Sequence, residues 1–114
     1  MKNSDSFHDF VVHDLLSELE NIRSRKMFGG YGLYRGGLFF AIIFDGRLYL
    51  KADTALAKTF KKRGGIQFVY QKRQGTRKKE VTMSYWSVPE DVLEDRGEFL
   101  WWVEESLASI TKIE

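Results

Sequence analysis

Apolar residues recur at spacings of four, four, four and three along Phe7, Val11, Leu15, Leu19 and Ile22. That spacing puts them on one face of a helix and predicts an amphipathic helix over residues 5–22. Phe10 and Leu16 widen the stripe, and Asp9, Asp14, Glu18 and Glu20 fill the remainder. Ser4 or Ser6 stands where a cap is needed. After Arg23-Ser24-Arg25 the period shortens to two. Met27, Tyr31 and Leu33 alternate with Phe28 and Tyr34 around Gly29, Gly30 and Gly32. This predicts one strand, in which the glycines mark a bulge or a close approach by another backbone or side chain. Arg35-Gly36-Gly37 reads as a tight turn. The run 38–44 is apolar on both alternations, with Leu38, Phe40, Ile42 and Phe44 on one face and Phe39, Ala41 and Ile43 on the other. A central strand covered at least in part on both sides has that pattern. Asp45-Gly46 is a two-residue hairpin signal, because both residues tolerate positive φ. Leu48, Leu50 and Ala52 then alternate with Arg47, Tyr49 and Lys51, giving one inner and one outer face.

Asp53 or Thr54 caps a short helix over 55–63 that stops at Gly64-Gly65. Leu56 and Phe60 anchor it, while Lys58, Lys61, Lys62 and Arg63 look outward. Ile66, Phe68 and Tyr70 begin a fourth strand, and Val81, Met83 and Tyr85 belong to a fifth. Between them lies a polar, basic hairpin tip, 71–79. Ser87-Val88-Pro89-Glu90 has the form of a capping box with proline in the first turn. It opens a short helix reaching Asp95, with Gly97 breaking or bending the chain. Phe99, Trp102, Val103, Ser106, Leu107 and Ile110 make one stripe of a closing helix, and Trp101 falls beside it, partly exposed. The order α-β-β-β-α-β-β-α predicts an α+β domain. Its sheet is antiparallel and five-stranded, with helices packed mainly on one face.

Composition narrows the class. With 114 residues, 43% hydrophobic and 15% aromatic, the chain is expected to fold as a single domain over 1–114. The absence of cysteine excludes disulfides, thiolate chemistry, Fe–S clusters and Cys-based zinc sites. His8 and His13 are the two histidines, and five residues of α-helix set them about 140° apart in azimuth. No metal and no cofactor are expected. The apolar run 38–44 is far too short to span a bilayer, and no apolar stretch follows a basic start as a signal peptide requires. The expectation is a soluble, cytoplasmic protein with no membrane contact.

Charge changes the picture more by its placement than by its sum of +2. Lys58, Lys61, Lys62, Arg63, Lys72, Arg73, Arg77, Lys78 and Lys79 lie in a stretch that holds no acid. Acids dominate 90–105. A positive and a negative region steer association with charged partners, although solvated faces show the same pattern. Nucleic-acid binding would use Lys61, Lys62, Arg63, Lys72, Arg73, Arg77, Lys78 and Lys79 on phosphates, with Tyr70 or Trp86 stacking on a base. It requires the two basic segments to converge. Enzymatic signals are weak. Gly30-Tyr31-Gly32-Leu33-Tyr34-Arg35-Gly36 misses the dinucleotide fingerprint by one position and precedes a hairpin, not a helix. Glu90, Asp91, Glu94 and Asp95 suit a helix start and have no accompanying nucleophile or base.

The elements Lys26-Met27-Phe28-Gly29-Gly30-Tyr31-Gly32-Leu33-Tyr34, Phe40-Ala41, 45–53 and Ser84-Tyr85-Trp86-Ser87-Val88-Pro89-Glu90 resemble the N-terminal domain of the TfoX/Sxy competence-regulator family, over about 23–107. The resemblance implies an α-β(3)-α-β(2)-α fold, similar in topology to small secretion chaperones. It implies no catalytic residue and no cofactor. It also implies a bacterial regulator of DNA-transformation genes acting with the cyclic-AMP receptor protein. The family signature carried over is Met27, Phe28, Gly29, Gly30, Tyr31, Gly32 and Asp53. Full-length regulators carry a further helical domain, and this chain ends at Glu114, before one would begin. Three functions follow. The first is a non-enzymatic regulatory or adaptor domain making protein contacts at transcription complexes, through edge strands or the acidic last helix. The second is direct DNA binding through 58–79. The third is a small-ligand binder or enzyme with a pocket lined by the glycine strand and tryptophans. Pairing of an edge strand across a two-fold axis would make a homodimer.

Overall fold

The apolar stripe of the first segment folds as a helix only as far as Leu15. In the computed structural model, which describes residues 3–27 and 29–111, α1 is Asn3–Phe10 and runs directly into a π-helical stretch, Val11–Leu15. Leu15 and Leu16 are both buried, as the widened stripe expects, whereas Phe10 is 40% exposed. Asn21, with φ at 64°, ends the segment. The helix expected over 5–22 is therefore shortened, and Ile22 opens β1, Ile22–Met27. Of the two candidate caps, Ser6 lies inside α1. The Ser4 side chain and Phe28 lie outside what is described.

The glycine segment is two strands where one was expected. Met27 pairs with Gly30, so β1 and β2, Gly30–Arg35, form a hairpin. Gly29 sits in its turn at φ 84°, a conformation that costs glycine nothing. Gly30 meets the close-approach expectation, since a Cβ there would fall 2.2 Å from the Ile43 carbonyl oxygen. The sheet consequently has six strands, among the described residues, in place of five. It includes β3 (Leu38–Phe44), β4 (Arg47–Lys51), β5 (Gln67–Gln74) and β6 (Arg77–Ser87). The order is β1-β2-β3-β4-β6-β5, antiparallel throughout.

A bulge in β3 reassigns its faces. Leu33 pairs with Ala41 and Tyr34 with Phe39, which leaves Phe40 as an extra residue. Strict alternation therefore fails at Phe40. Leu38, Phe40, Ala41 and Ile43 pack toward the helices, while Phe39, Ile42 and Phe44 pack on the opposite side. The Asp45-Gly46 turn forms as expected, with φ of 53° and 75°.

The α2 helix, Thr54–Lys62, is capped by Asp53, whose Oδ1 accepts the Leu56 N–H at 2.9 Å. The expected capping box at Ser87 does not form. Ser87 is still in β6, and its Oγ accepts the Ile66 N–H at 2.9 Å. α3 is one turn, Glu90–Leu93. The break before α4, Arg96–Thr111, is made by Asp95, which accepts the Glu98 N–H at 3.1 Å. Gly97 lies inside the first turn of α4 and breaks nothing. The stripe of α4 is buried as expected at Phe99, Trp102, Val103, Ser106 and Leu107, and Trp101 is 49% exposed.

Two cores result. The larger joins all the helices to one sheet face, through Leu16, Leu33, Phe40, Ile43, Leu50, Phe60, Val92 and Trp102 among others. Each such side chain contributes about 1.5–3 kcal/mol when fully buried. The smaller contains strand residues alone: Ile42, Tyr49, Phe68 and Tyr85, edged by Phe39, Phe44, Tyr70 and Met83. It closes because the β5–β6 ladder breaks at Phe68. Gln67 pairs with Trp86 and Val69 with Thr82, so the two strands advance by different amounts. Phe68 meets the Tyr49 ring at 5.0 Å. Tyr49, expected on an outer face, is for this reason only 7% exposed. Past the break the strands continue to a turn at Gly75-Thr76. Residues 71–79, expected as a hairpin tip, thus lie mostly in the paired ribbon. Gly30→Ala should lower the urea unfolding midpoint by the equivalent of about 1–3 kcal/mol, the usual cost of overpacking. Gly37→Ala, where a Cβ meets nothing within 4 Å, should change it by less than about 0.5 kcal/mol. Equal effects of the two would contradict the close approach at Gly30.

Candidate nucleic-acid interface

Cross-strand partners share a face, so the register sorts every strand residue to one side of the sheet. Tyr34 stacks on Phe39 at 4.9 Å, on the side away from the helices. Arg23 is opposite Tyr34, Arg25 opposite Gly32, Arg47 opposite Phe44 and Lys51 opposite Tyr85. Along the ribbon, Lys72 and Lys79 pair two residues beyond the Tyr70–Val81 pair, and Arg77 comes two residues after that. The uncovered face therefore carries Arg23, Arg25, Arg47, Lys51, Lys72, Arg77 and Lys79. No strand position on it is a carboxylate. Glu80, the one acid within a strand among the described residues, pairs with Gln71 and faces the other way.

Aromatic rings floor this face. Phe39 approaches Tyr85 at 5.2 Å, and Phe44 meets Phe68 edge-on at 5.5 Å. The Tyr85 hydroxyl donates to the Phe39 carbonyl at 2.9 Å, and the Lys51 ammonium lies 5.3 Å from the Tyr85 ring centre. Burial, aided by nearby Tyr34, raises the Tyr85 pKa above the ordinary tyrosine value. Tyr34, Phe39, Phe44 and Tyr70 stay half-buried, so part of each ring meets solvent.

The cations singled out from the sequence divide into three groups. Lys72, Arg73, Arg77, Lys78 and Lys79 are all exposed on the ribbon. Lys72 stands opposite Lys79 and Arg73 opposite Lys78, and like charges directly opposed are destabilising. Lys61 lines a groove of about 610 Å³ with Lys51, Lys58, Gln67, Ser84 and Trp86. This groove lies at the base of the ribbon, and Lys72 is about 17 Å of strand beyond Gln67. Lys62 is exposed on α2. Arg63 is held apart, donating to Glu98 at 2.9 Å and to Asp91 at 3.3 Å. The hydrogen bond to Glu98 is the main cause raising its pKa. The structure thus brings α2 to the ribbon's base without joining its cations to the tip. Sequence reasoning missed Arg23 and Arg25, which precede the shortened period and were given no role. Their alternation with Ile22 and Ser24 was the available signal.

The signature residues near the first hairpin pack against one another. A Cβ on Gly32 would meet Met27 Sδ at 2.8 Å and a Phe39 ring carbon at 2.9 Å. Tyr31 donates a hydrogen bond to Asp5, the main cause raising its pKa, and stacks on His8 at 4.1 Å. His8 and His13, expected on different faces, have ring centres 6.4 Å apart, because the π-helical stretch turns less per residue. Among the described residues no group of three or more His, Cys, Asp or Glu is placed to hold a metal ion. The glycine turn borders a cleft of about 400 Å³ with Asp5, Lys26, Met27 and Tyr31. Trp86 lines the α2 groove and Trp101 a third cleft, so the glycines and tryptophans do not share the single pocket a ligand site would need. No described helix is long and apolar enough to cross a membrane.

These features define a small α+β domain with one helix-covered sheet face and one basic, aromatic face. The model of the TfoX N-terminal domain matches residues 14–110, and the chain belongs to that family of competence-regulator-like domains. No curated protein matches the chain. Because the folded Tyr85 holds its proton to higher pH than the unfolded chain does, its contribution is full below about pH 10 and is lost as pH rises further. Urea midpoints should fall from about pH 10 upward, and Tyr85→Phe should flatten that fall. An unchanged pH slope in the variant would contradict the buried hydroxyl.

Proposed function

We propose that the chain is a non-enzymatic regulatory domain of the competence-regulator kind, working by contact at transcription complexes and offering opposite charge to two partners. The uncovered sheet face and its ribbon meet the phosphates of a nucleic acid. The helical side, with Asp91, Glu94, Glu104 and Glu105 exposed, meets a protein. The cyclic-AMP receptor protein is the partner that the family resemblance implies.

One observation carries this reading: carboxylates are excluded from the strand positions of one sheet face, whereas cations stand on both. Seven strand cations share a face with no strand carboxylate. Phosphate contacts gain most of their free energy from counterion release, so such a face binds any nucleic acid in a salt-dependent way. The reading predicts that native or heat-denatured DNA binds the domain in about 50 mM salt and weakens steeply by about 200 mM. Changing Lys72, Arg73, Arg77, Lys78 and Lys79 together to Ala should abolish most of that binding. Failure of both DNA forms to bind at the lower salt would overturn it.

A further inference from the structure

The uncovered face is wide and paved with rings as well as cations, and these properties choose between kinds of nucleic acid. Six strands at about 4.8 Å spacing make a sheet about 24 Å across, whereas the major groove of a duplex is about 12 Å wide. A duplex groove would admit the β5–β6 ribbon alone. Arg25 at the opposite edge and Tyr34 beside it would then have no part in binding. A single strand has no such limit, because it can lie across the strands and follow cations from one edge to the other.

The rings supply the second argument. Base faces within a duplex are already stacked, so half-exposed Tyr34 and Tyr70 would gain nothing from them. Unpaired bases present open faces, and stacking them on aromatic side chains is the usual means of holding single strands without sequence preference. Cations flank the rings on both sides. Arg23 is opposite Tyr34, and Lys72 follows Tyr70 on the same face, with Lys79 as its cross-strand partner. No strand carboxylate stands among these cations to repel a phosphate.

Resting on the reading of this face as a phosphate contact, we infer that it is a binding platform for single-stranded nucleic acid. Phosphates are held by Arg25, Lys51, Lys72 and Lys79, and unpaired bases stack on Tyr34 and Tyr70. Lys58 and Lys61, in the groove beside α2, take no part, and the Lys51 ammonium lies over Tyr85 on the other side of the sheet.

Fluorescence anisotropy of a labelled oligo(dT) of about twelve nucleotides, a length within the usual single-strand site size, tests this against a duplex of equal length. The single strand should bind at least about tenfold more tightly than the duplex. Tyr34→Leu should weaken it about tenfold, as loss of one stacked base does, while Tyr34→Phe keeps the ring and the affinity. The urea midpoint of each variant separates lost stacking from lost folding. Independently of that ring, exposed Arg25→Ser should reduce the salt slope for the single strand by about 0.7. Lys58→Ala with Lys61→Ala should leave the affinity unchanged. Equal or tighter binding of the duplex, with no effect of Arg25→Ser, overturns the inference and leaves the phosphate-contact reading standing. Loss of single-strand binding on changing Lys58 and Lys61 also overturns it. If neither oligonucleotide binds at low salt, the inference and the reading fall together.

Discussion

Phe40 bulges out of the β2–β3 ladder, and the division of the sheet into two different faces depends on that one extra residue. Without it, β3 would send Phe40 and Ile42 to the same side. With it, Phe40, Ala41 and Ile43 reach the helices, while Phe39 and Ile42 support the rings opposite. The last helix anchors close to the same place. The Ser106 hydroxyl donates to the Lys51 carbonyl at 2.7 Å, with the Phe40 carbonyl 3.4 Å away. All helical mass is thereby tied to one side. The other side has to bury its rings with strands alone, which it does by folding Phe68 onto Tyr49 and Phe44.

Covering a sheet face with its own ribbon leaves it only partly covered. Ile42, Tyr49, Phe68 and Tyr85 are sealed, whereas Tyr34, Phe39, Phe44 and Tyr70 keep solvent contact. A partly covered apolar face risks aggregation, and charged side chains reduce that risk. Arginine and lysine alone take that role here at the strand positions. Basic residues would suffice for solubility in any mixture with acids, so the exclusion of carboxylates is the feature that solubility does not explain. Acids are concentrated instead on the helical side, where Glu98 and Asp91 engage Arg63.

Local signals were legible from the chain. Asp45-Gly46, the Asp53 cap and the stripe of the closing helix each depend on neighbours a few residues away, and each formed as read. Features set by distant partners were not legible. Gly29 looks like a strand residue until Met27 is seen to pair with Gly30. The bulge at Phe40 is silent because both alternations of β3 are apolar. The ribbon's cations read as a hairpin tip because charge usually marks one, yet cross-strand pairing holds them in line. Arg63 joined the basic set by proximity in sequence, and only the packing of α3 and α4 shows its carboxylate partners. The site itself was half visible: the ribbon tip stood out, while Arg25 and Tyr34 became part of it only through the strand order.

Everything functional in this account rests on the uncovered face being the contact surface. Chemical-shift mapping of the isotope-labelled domain during titration with a short single-stranded oligonucleotide tests that most directly. The account predicts that the largest changes cluster at Arg25, Tyr34, Lys51, Tyr70 and Lys79, in five different strands of one sheet face. Changes concentrated at Lys58, Lys61 and Trp86, or along the acidic side of α4, would contradict it.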